Sequence, residues 1–272
     1  MKLNSIEKPV KRHQLRRALG KEYFCLKRKM SWYLDEKRYA KYQSQEQLPI
    51  SLIEHQSFLL KPLQNVDMRL QRNKTKNLSI AIKKLHGTVI EPGQVFSFWK
   101  LVGRPTKLKG YLPGLVLSNG KIKSGVGGGL CQMGNLLYWM TIHTPLTITQ
   151  RYRHSYDVFP DVNRRVPFGS GATLAYNYID LQITNSTNQP FQINVWLDKR
   201  FLRGSICTTV GVNKSYSIFE KNHRFDLQWW GGYTRHNEIW RKVKDLKTNK
   251  ESEELITENH AIMMYNPLLT KS

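Results

Sequence analysis

The sequence predicts an α+β fold: basic N-terminal helices, then a mixed, mainly antiparallel β core with a glycine-loop and cysteine-led helix packed on it. Three observations predict it. Apolar residues recur at steps of three and four in segments before residue 86. Short β-prone segments separated by turn residues dominate from 87 to 210. A helix-period stretch interrupts them at 131–143, directly after a glycine run. At 272 residues the chain is long enough to bury a real core. The expected organisation is a basic helical arm over 1–76, a core domain over 77–210, and an aromatic and basic extension over 211–272 packed on that core.

The first helix is read from Leu15, Leu19, Tyr23, Leu26, Met30 and Tyr33, which share one face among Lys and Arg. Such a face lies on an anionic membrane or a partner, or packs on its own domain, and the pattern leaves both open. A second helix is expected over 77–85 from Leu78, Ala81, Ile82 and Leu85, with Gly87 as its C-terminal cap. Strands are expected at 88–90, 95–98 and 111–117, with Glu91-Pro92-Gly93 as a turn and Asn119-Gly120 as a hairpin signal. Pro145 ends the helix that begins near Cys131. Strands follow at 147–152, 172–183, 191–197 and 205–210. The tail reads as a helical or strand-like segment at 229–242, a charged loop at 247–254 and an apolar run at 261–265. No internal repeat or low-complexity tract occurs.

Charge narrows the partners. Forty-three Lys and Arg against twenty Asp and Glu leave a formal +23, of which residues 1–42 carry +9. A field of this size concentrates nucleic acid, phospholipid surfaces or phosphate-bearing molecules. The expected ligand is a cell-wall precursor or other anionic small molecule, with peripheral contact to anionic membrane through the basic helix. Nucleic acid ranks last. Trp229, Trp230, Tyr233 and Trp240 interleave with Arg235, Arg241 and Lys242, but no RRM, KH or OB signature accompanies them. Packing of a hairpin around Gly231-Gly232 explains the same aromatics. No secretory-leader pattern opens the chain, and no apolar run approaches the length of a membrane span. Three widely spaced cysteines, Cys25, Cys131 and Cys207, suggest free thiols in a reducing compartment. The expected location is therefore cytoplasmic, with contact at the inner membrane face. No cofactor fingerprint is present. Cys131, His143 and His154 lack metal-ligand spacing, so neither a metal nor a cofactor is expected.

The densest chemistry lies at Gly125-Val126-Gly127-Gly128-Gly129, leading into Cys131. Two readings follow. In the first, backbone N–H groups and the helix start form an anion-tolerant loop, with Gly127, Gly128, Gly129, Gln132, Arg153 and Ser155 as ligand-binding candidates. In the second, the same electrostatics activate Cys131 as a nucleophile. His154 is then the general base and Asp180 the orienter, with Asp161 as the other candidate. The order of loop, cysteine helix, strand and histidine is that of papain-like and transglutaminase-like hydrolases or acyltransferases. The bland alternative is a buried cysteine with glycines serving close packing.

Taken together, these segments resemble the VanW family. The resemblance is carried by Gly87-Thr88-Val89-Ile90-Glu91-Pro92-Gly93 with Phe96-Ser97-Phe98, and by Gly127-Gly128-Gly129-Leu130-Cys131-Gln132. Arg153-His154-Ser155, Pro167-Phe168-Gly169-Ser170-Gly171-Ala172-Thr173 and Asp180-Leu181 continue it. It is dense over about residues 78–200. The resemblance implies an accessory protein linked to glycopeptide (vancomycin) resistance and cell-wall precursor metabolism. It leaves three functions to weigh: a cysteine-dependent acyl-transfer or amide-cleaving enzyme, a non-catalytic binding module, and a nucleic-acid-binding protein. The chain departs from a common family pattern at Gly171, where many relatives carry Asp.

Overall fold

Helix α1 (Gln14–Leu34) opens the part of the chain that the computed structural model describes: residues 13–60, 67–118, 120–158 and 166–268. The expected amphipathic helix is there, but it docks by another face. Cys25 is buried, and its thiol donates to the Tyr176 carbonyl at 3.0 Å. Arg28 donates to the Tyr178 carbonyl at 2.6 Å and to Gln150 at 3.0 Å. The apolar stripe from Leu15 to Tyr33 is exposed. Strands β1 (Arg38–Tyr39) and β2 (Ile50–Phe58) follow.

Helix α2 (Met68–Leu85) begins a little over two turns before the expected start. Asp67 caps it by accepting from the Arg69 N–H at 2.7 Å. Its early turns bury Gln71, Lys74 and Asn77, polar residues that hide the helical period from the sequence. Leu78, Ala81 and Leu85 then enter the core. The helix stops at Gly87, whose φ of +75° suits a residue without a Cβ. A Cβ there would sit 2.3 Å from the Ser44 carbonyl oxygen.

Strands β3 (Thr88–Ile90) and β4 (Gln94–Ser97) lead into the short helix α3 (Phe98–Val102). The hairpin of β5 (Pro113–Ser118) and β6 (Lys121–Val126) pairs Ser118 with Lys121, as the turn signal between them predicts. Helix α4 (Cys131–Ile142) buries Met133, Leu136, Leu137 and Met140, apolar enough around its girdle to be an interior helix. Beyond it come β7 (Thr147–Gln150), β8 (Tyr156–Asp157), β9 (Gln182–Thr184), β10 (Phe191–Leu197) and β11 (Phe201–Thr208). A meander of long strands closes the chain: β12 (Lys214–Leu227), β13 (Tyr233–Asp245) and β14 (Glu251–Met263).

The strands form three four-stranded sheets and the hairpin. Their orders are β1-β4-β9-β7, β2-β11-β10-β3 and β12-β13-β14-β8. Pairing is antiparallel except at β1 with β4 and β8 with β14, so the mixed, mainly antiparallel α+β class holds. One core joins α2 and α4 to the first two sheets through Leu78, Phe96, Leu137, Phe191, Ile193 and Ile206.

Four expectations change. The 1–76 segment is not helical throughout, because β2 pairs along β11 as an edge of the second sheet. The strand expected over 172–183 is limited to β9. Asn177 closes a turn by accepting from the Ile179 N–H at 2.8 Å, and a single bridge joins Ala175 to Ile179. The segment at 229–242 is strand only from Tyr233. Half of the loop expected at 247–254 is strand, since β14 starts at Glu251 and pairs its acids with basic residues of β13.

Gly87→Ala should lower stability by about 2–3 kcal/mol, because the added carbon meets fixed backbone. Gly93 also has a φ of +75°, but a Cβ there meets nothing within 4 Å. Gly93→Ala should therefore cost only about 1 kcal/mol, the left-handed backbone penalty alone. Urea-denaturation midpoints of the two variants test the ordering, and equal losses would contradict it.

Candidate functional site

The glycine loop is a packing clasp. A Cβ on Gly128 would fall 2.2 Å from the carbonyl carbon of Gly114 in β5. On Gly127 it would meet the Pro105 ring at 2.6 Å, and on Gly129 the Lys74 stem at 2.1 Å. Asn77, fully buried on α2, ties the parts together. Its amide donates to the Gly128 and Leu112 carbonyls at 2.9 Å each, and its carbonyl accepts from the Leu112 N–H at 2.8 Å. The three glycines read as ligand-binding candidates thus lie against protein: loop meets strand and helix with no room for side chains.

Cys131 starts α4 at the end of this clasp. Its sulfur accepts from the Leu174 N–H at 3.4 Å and donates to the Leu174 carbonyl at 3.6 Å, as a strand residue would. The residue keeps part of its surface open, yet its sulfur is desolvated, and burial pushes the thiol pKa up. The Leu174 N–H bond works the other way and is outweighed. The thiol is therefore protonated at neutral pH. Gln132 faces away from any cradle and donates to Ser57 Oγ and the Phe58 carbonyl at 2.8 Å each.

His154 makes no hydrogen bond with a described residue. Burial, and then the Arg153 charge, lower its pKa and keep the ring neutral. Asp180 is buried in another role. It accepts from Ser97 Oγ at 2.6 Å and from the Trp99 and Leu181 N–H groups, which fixes the start of α3. The orienter assigned to Asp180 is thus corrected: its lone pairs are spent on the start of α3 and on the neighbouring Leu181 N–H. Asp161 lies outside the described residues. Cys131, His154 and Asp180 do not bond one another; each has its own setting.

Polar groups gather instead around Arg151 and Arg153, two residues apart after β7. Arg151 donates to the Gly171 carbonyl at 2.8 Å, to Gly169 and to Thr257 Oγ1 at 3.0 Å. Its guanidinium lies 4.6 Å from the centre of the Tyr138 ring. Every one of those oxygens is neutral. Arg153 lies 5.8 Å from the centre of the Phe168 ring, and its Nη1 is buried without a hydrogen-bond partner. Burial, and then the neighbouring Arg151 charge, bring the Arg153 pKa down to about 10. Ser170 Oγ, Thr173 Oγ1 and Tyr138 Oη are buried and unpartnered as well. The segments that carry these atoms are joined. Thr173 N–H donates to the Tyr152 carbonyl at 2.7 Å, and Arg151 holds the glycines on either side of Ser170. Tyr152 and Ser155 are exposed beside it, so the cluster reaches the surface. Behind it Asp157 and Arg235 form a buried pair at 3.3 Å. Among the described residues no group of His, Cys, Asp and Glu is arranged to hold a metal.

Sequence reading named Arg153 and Ser155 but missed Arg151, Tyr138 and Asn77. Arg151 was legible in principle, since two residues along an extended segment point the same way.

Fold and site together define an α+β domain built on a glycine-clasped, cysteine-led helix beside a buried arginine cluster. The chain belongs to the VanW family: the family described as VanW like protein matches residues 73–207, which include the clasp, Cys131 and the arginine cluster. The vancomycin B-type resistance protein VanW of Enterococcus faecalis (strain ATCC 700802 / V583) is 40% identical over 180 residues, 66% of each chain. The uncharacterized protein YoaR of Bacillus subtilis (strain 168) is 34% identical over 122 residues, 45% of this chain and 39% of YoaR. The matched regions thus cover just under two thirds of one relative and well under half of the other. No solved structure matches this fold. Among the described residues, no helix is long and apolar enough to cross a membrane.

A raised thiol pKa means little thiolate at neutral pH. Iodoacetamide should therefore alkylate Cys131 in the folded protein about tenfold more slowly than it alkylates glutathione at pH 7.5, by peptide mass mapping. A rate equal to or above that of glutathione would restore the activated nucleophile.

Proposed function

We propose that this protein is a VanW-like accessory protein linked to glycopeptide (vancomycin) resistance that acts as a non-catalytic binding module for an anionic cell-wall precursor. Arg153 is the centre of the binding site. The observation that carries the reading is its Nη1, a buried guanidinium donor with no partner. A guanidinium N–H out of water and unbonded is costly, and a phosphate or carboxylate oxygen is its natural complement. Ser170 Oγ, Thr173 Oγ1 and Tyr138 Oη, likewise buried and unpartnered, are further donors on the segments that Arg151 and Tyr152 hold. Support for a link to resistance comes from the resemblance to the enterococcal protein over the region that holds this cluster.

The binding reading is favoured over catalysis because the thiol is protonated and bonded to Leu174. Among the described residues neither His154 nor Asp180 hydrogen-bonds to it, and Asp180 is engaged with Ser97, Trp99 and Leu181.

The test is binding of the nucleotide-linked muramyl pentapeptide and of inorganic pyrophosphate by calorimetry. Arg153→Ala should weaken binding by about 10- to 100-fold, the worth of a charge-assisted hydrogen bond. It should leave the thermal midpoint unchanged or raised, since it removes an unpaired buried cation. Cys131→Ser should bind as the native chain does. Native affinity in Arg153→Ala would overturn the site. Release of a product from the precursor that Cys131→Ser abolishes would replace binding by catalysis.

A further inference from the structure

Helix α1 presents its apolar stripe outward. Leu15, Leu19, Tyr23, Leu26 and Met30 are each between 53% and 64% exposed, and Tyr33 is 87% exposed. By helical geometry they occupy a band about 80° wide, roughly opposite the face that carries Cys25, Arg28 and Trp32 into the core. Arg16 and Lys27 border the band on one side and Lys29 on the other. The acid on this helix, Glu22, is held by two hydrogen bonds from Arg104, at 2.8 and 2.6 Å. The helix is thus braced from behind by Cys25 and Arg28 and at the Lys29 flank by the Glu22–Arg104 pair, and its free face pairs hydrocarbon with a surplus of cations.

Where α1 ends, the chain forms a groove of about 440 Å³. Lys37, Arg38, Lys41 and Lys100 line it together with Trp32 and Tyr42. Lys100 is rigidly placed: its ammonium lies 4.0 Å from the Tyr39 ring centre and donates to the Trp32 carbonyl at 2.9 Å. The indole N–H of Trp32 is buried with no partner. Asp35 is the acid at hand. It accepts from Tyr39 Oη at 2.7 Å and lies 3.9 Å from Lys37, leaving a clear cationic surplus. Tyr33, at the end of the stripe, is 5.9 Å from the same Lys100, so stripe and groove are continuous.

We infer that α1 and the Lys37/Arg38/Lys41/Lys100 groove form a docking surface for an anionic lipid bilayer, with the stripe in the acyl boundary and a lipid phosphate in the groove. Charge complementarity names the occupant. A band of aliphatic and aromatic side chains bordered by Lys and Arg matches the interface of an acidic leaflet, where hydrocarbon lies beneath a layer of phosphates. Neither a soluble phosphate nor a nucleic acid gives six exposed apolar side chains anything to contact. The inference is independent of the Arg153 site, since α1 and most of the groove lie outside the region that matches the family.

The experiment is flotation of the full chain with vesicles rich in phosphatidylglycerol, against pure phosphatidylcholine vesicles. The chain should float with the first and remain behind with the second. Leu19→Glu with Leu26→Glu changes exposed positions only and should abolish flotation while the thermal midpoint is kept. Lys37→Gln with Lys41→Gln should weaken partition by about 25-fold, at about fivefold per cation near an acidic surface. Inorganic phosphate at equal ionic strength should displace the chain no better than chloride. Flotation unaffected by the double Glu variant would overturn the docking surface. So would release from vesicles by single-stranded RNA, or a dimer in ultracentrifugation that the Glu variant dissociates while flotation persists.

Discussion

Asn77 is the constraint on which the site depends. Its amide reaches the backbone of the glycine loop and of the strand approach at once, so α2, β5 and the start of α4 share one anchor. That anchor works only if loop and strand backbones touch, which is why Gly114 and Gly128 face each other without side chains. With the loop held there, α4 begins at Cys131 in a fixed register, and the sulfur meets the Leu174 main chain. The glycine run that suggests a ligand cradle is therefore explained by packing density. Buried polar side chains with complete hydrogen bonding specify one arrangement of a core in this way, because any shift orphans several groups together.

Much of the fold was legible, and the exceptions share a cause. The cap at Gly87, the end of α4 before Pro145 and the strand at 191–197 depend on local chemistry, which neighbouring residues display. Strand β2 does not. Its middle, Glu54-His55-Gln56, is polar, and it is a strand because β11 offers it a ladder. Strand β14 begins with Glu251-Ser252-Glu253-Glu254, which reads as a loop until its partners are known. Glu251 pairs with Lys242 at 3.1 Å, Glu253 with Lys221 at 2.7 Å and Glu254 with Arg241 at 2.6 Å. Those cross-strand pairs neutralise a run that would repel itself alone. In the site, sequence order brought out Cys131 and His154 as a dyad, and both sit near the expected helix and strand. What the order could not show is that a main-chain group 43 residues away takes the sulfur. Backbone partners leave no trace in residue identity.

The arginine cluster illustrates how a charge is kept where it is costly. Arg151 spends all its donors on neutral oxygens and lies on the Tyr138 ring, so its charge is dispersed over dipoles and a π face. Arg153 has the Phe168 ring without comparable hydrogen bonds. The same ring lies 4.4 Å from Arg235, which is paired with Asp157. Two guanidiniums thus share one aromatic side chain, and the one nearer the surface is the less satisfied. A cation retained in this state is poised to gain from any anion that reaches it, whereas a fully paired one would first have to give up its partners.

Helix α4 joins this cluster to the rest of the molecule at both ends. Gln132 fastens its first turn to β2. Arg241 of β13 caps its last turn, donating to the Ile142 carbonyl at 3.3 Å and the Thr144 carbonyl at 2.9 Å, where the helix dipole favours a cation. The C-terminal meander also receives Arg151 at Thr257 and offers Asn237 to the Phe168 carbonyl at 2.7 Å. The residues beyond 211 therefore do more than cover the core. They hold one end of the helix that starts at Cys131 and one wall of the loop that carries Phe168 and Ser170. A domain cut back to the region that resembles the family would keep the glycine clasp, whose parts all lie before residue 132. It would lose the Arg241 cap, the Thr257 contact and the Asp157–Arg235 pair. The clasp and the arginine cluster are thus separable in stability, with the second dependent on a strand pairing that runs to Met263.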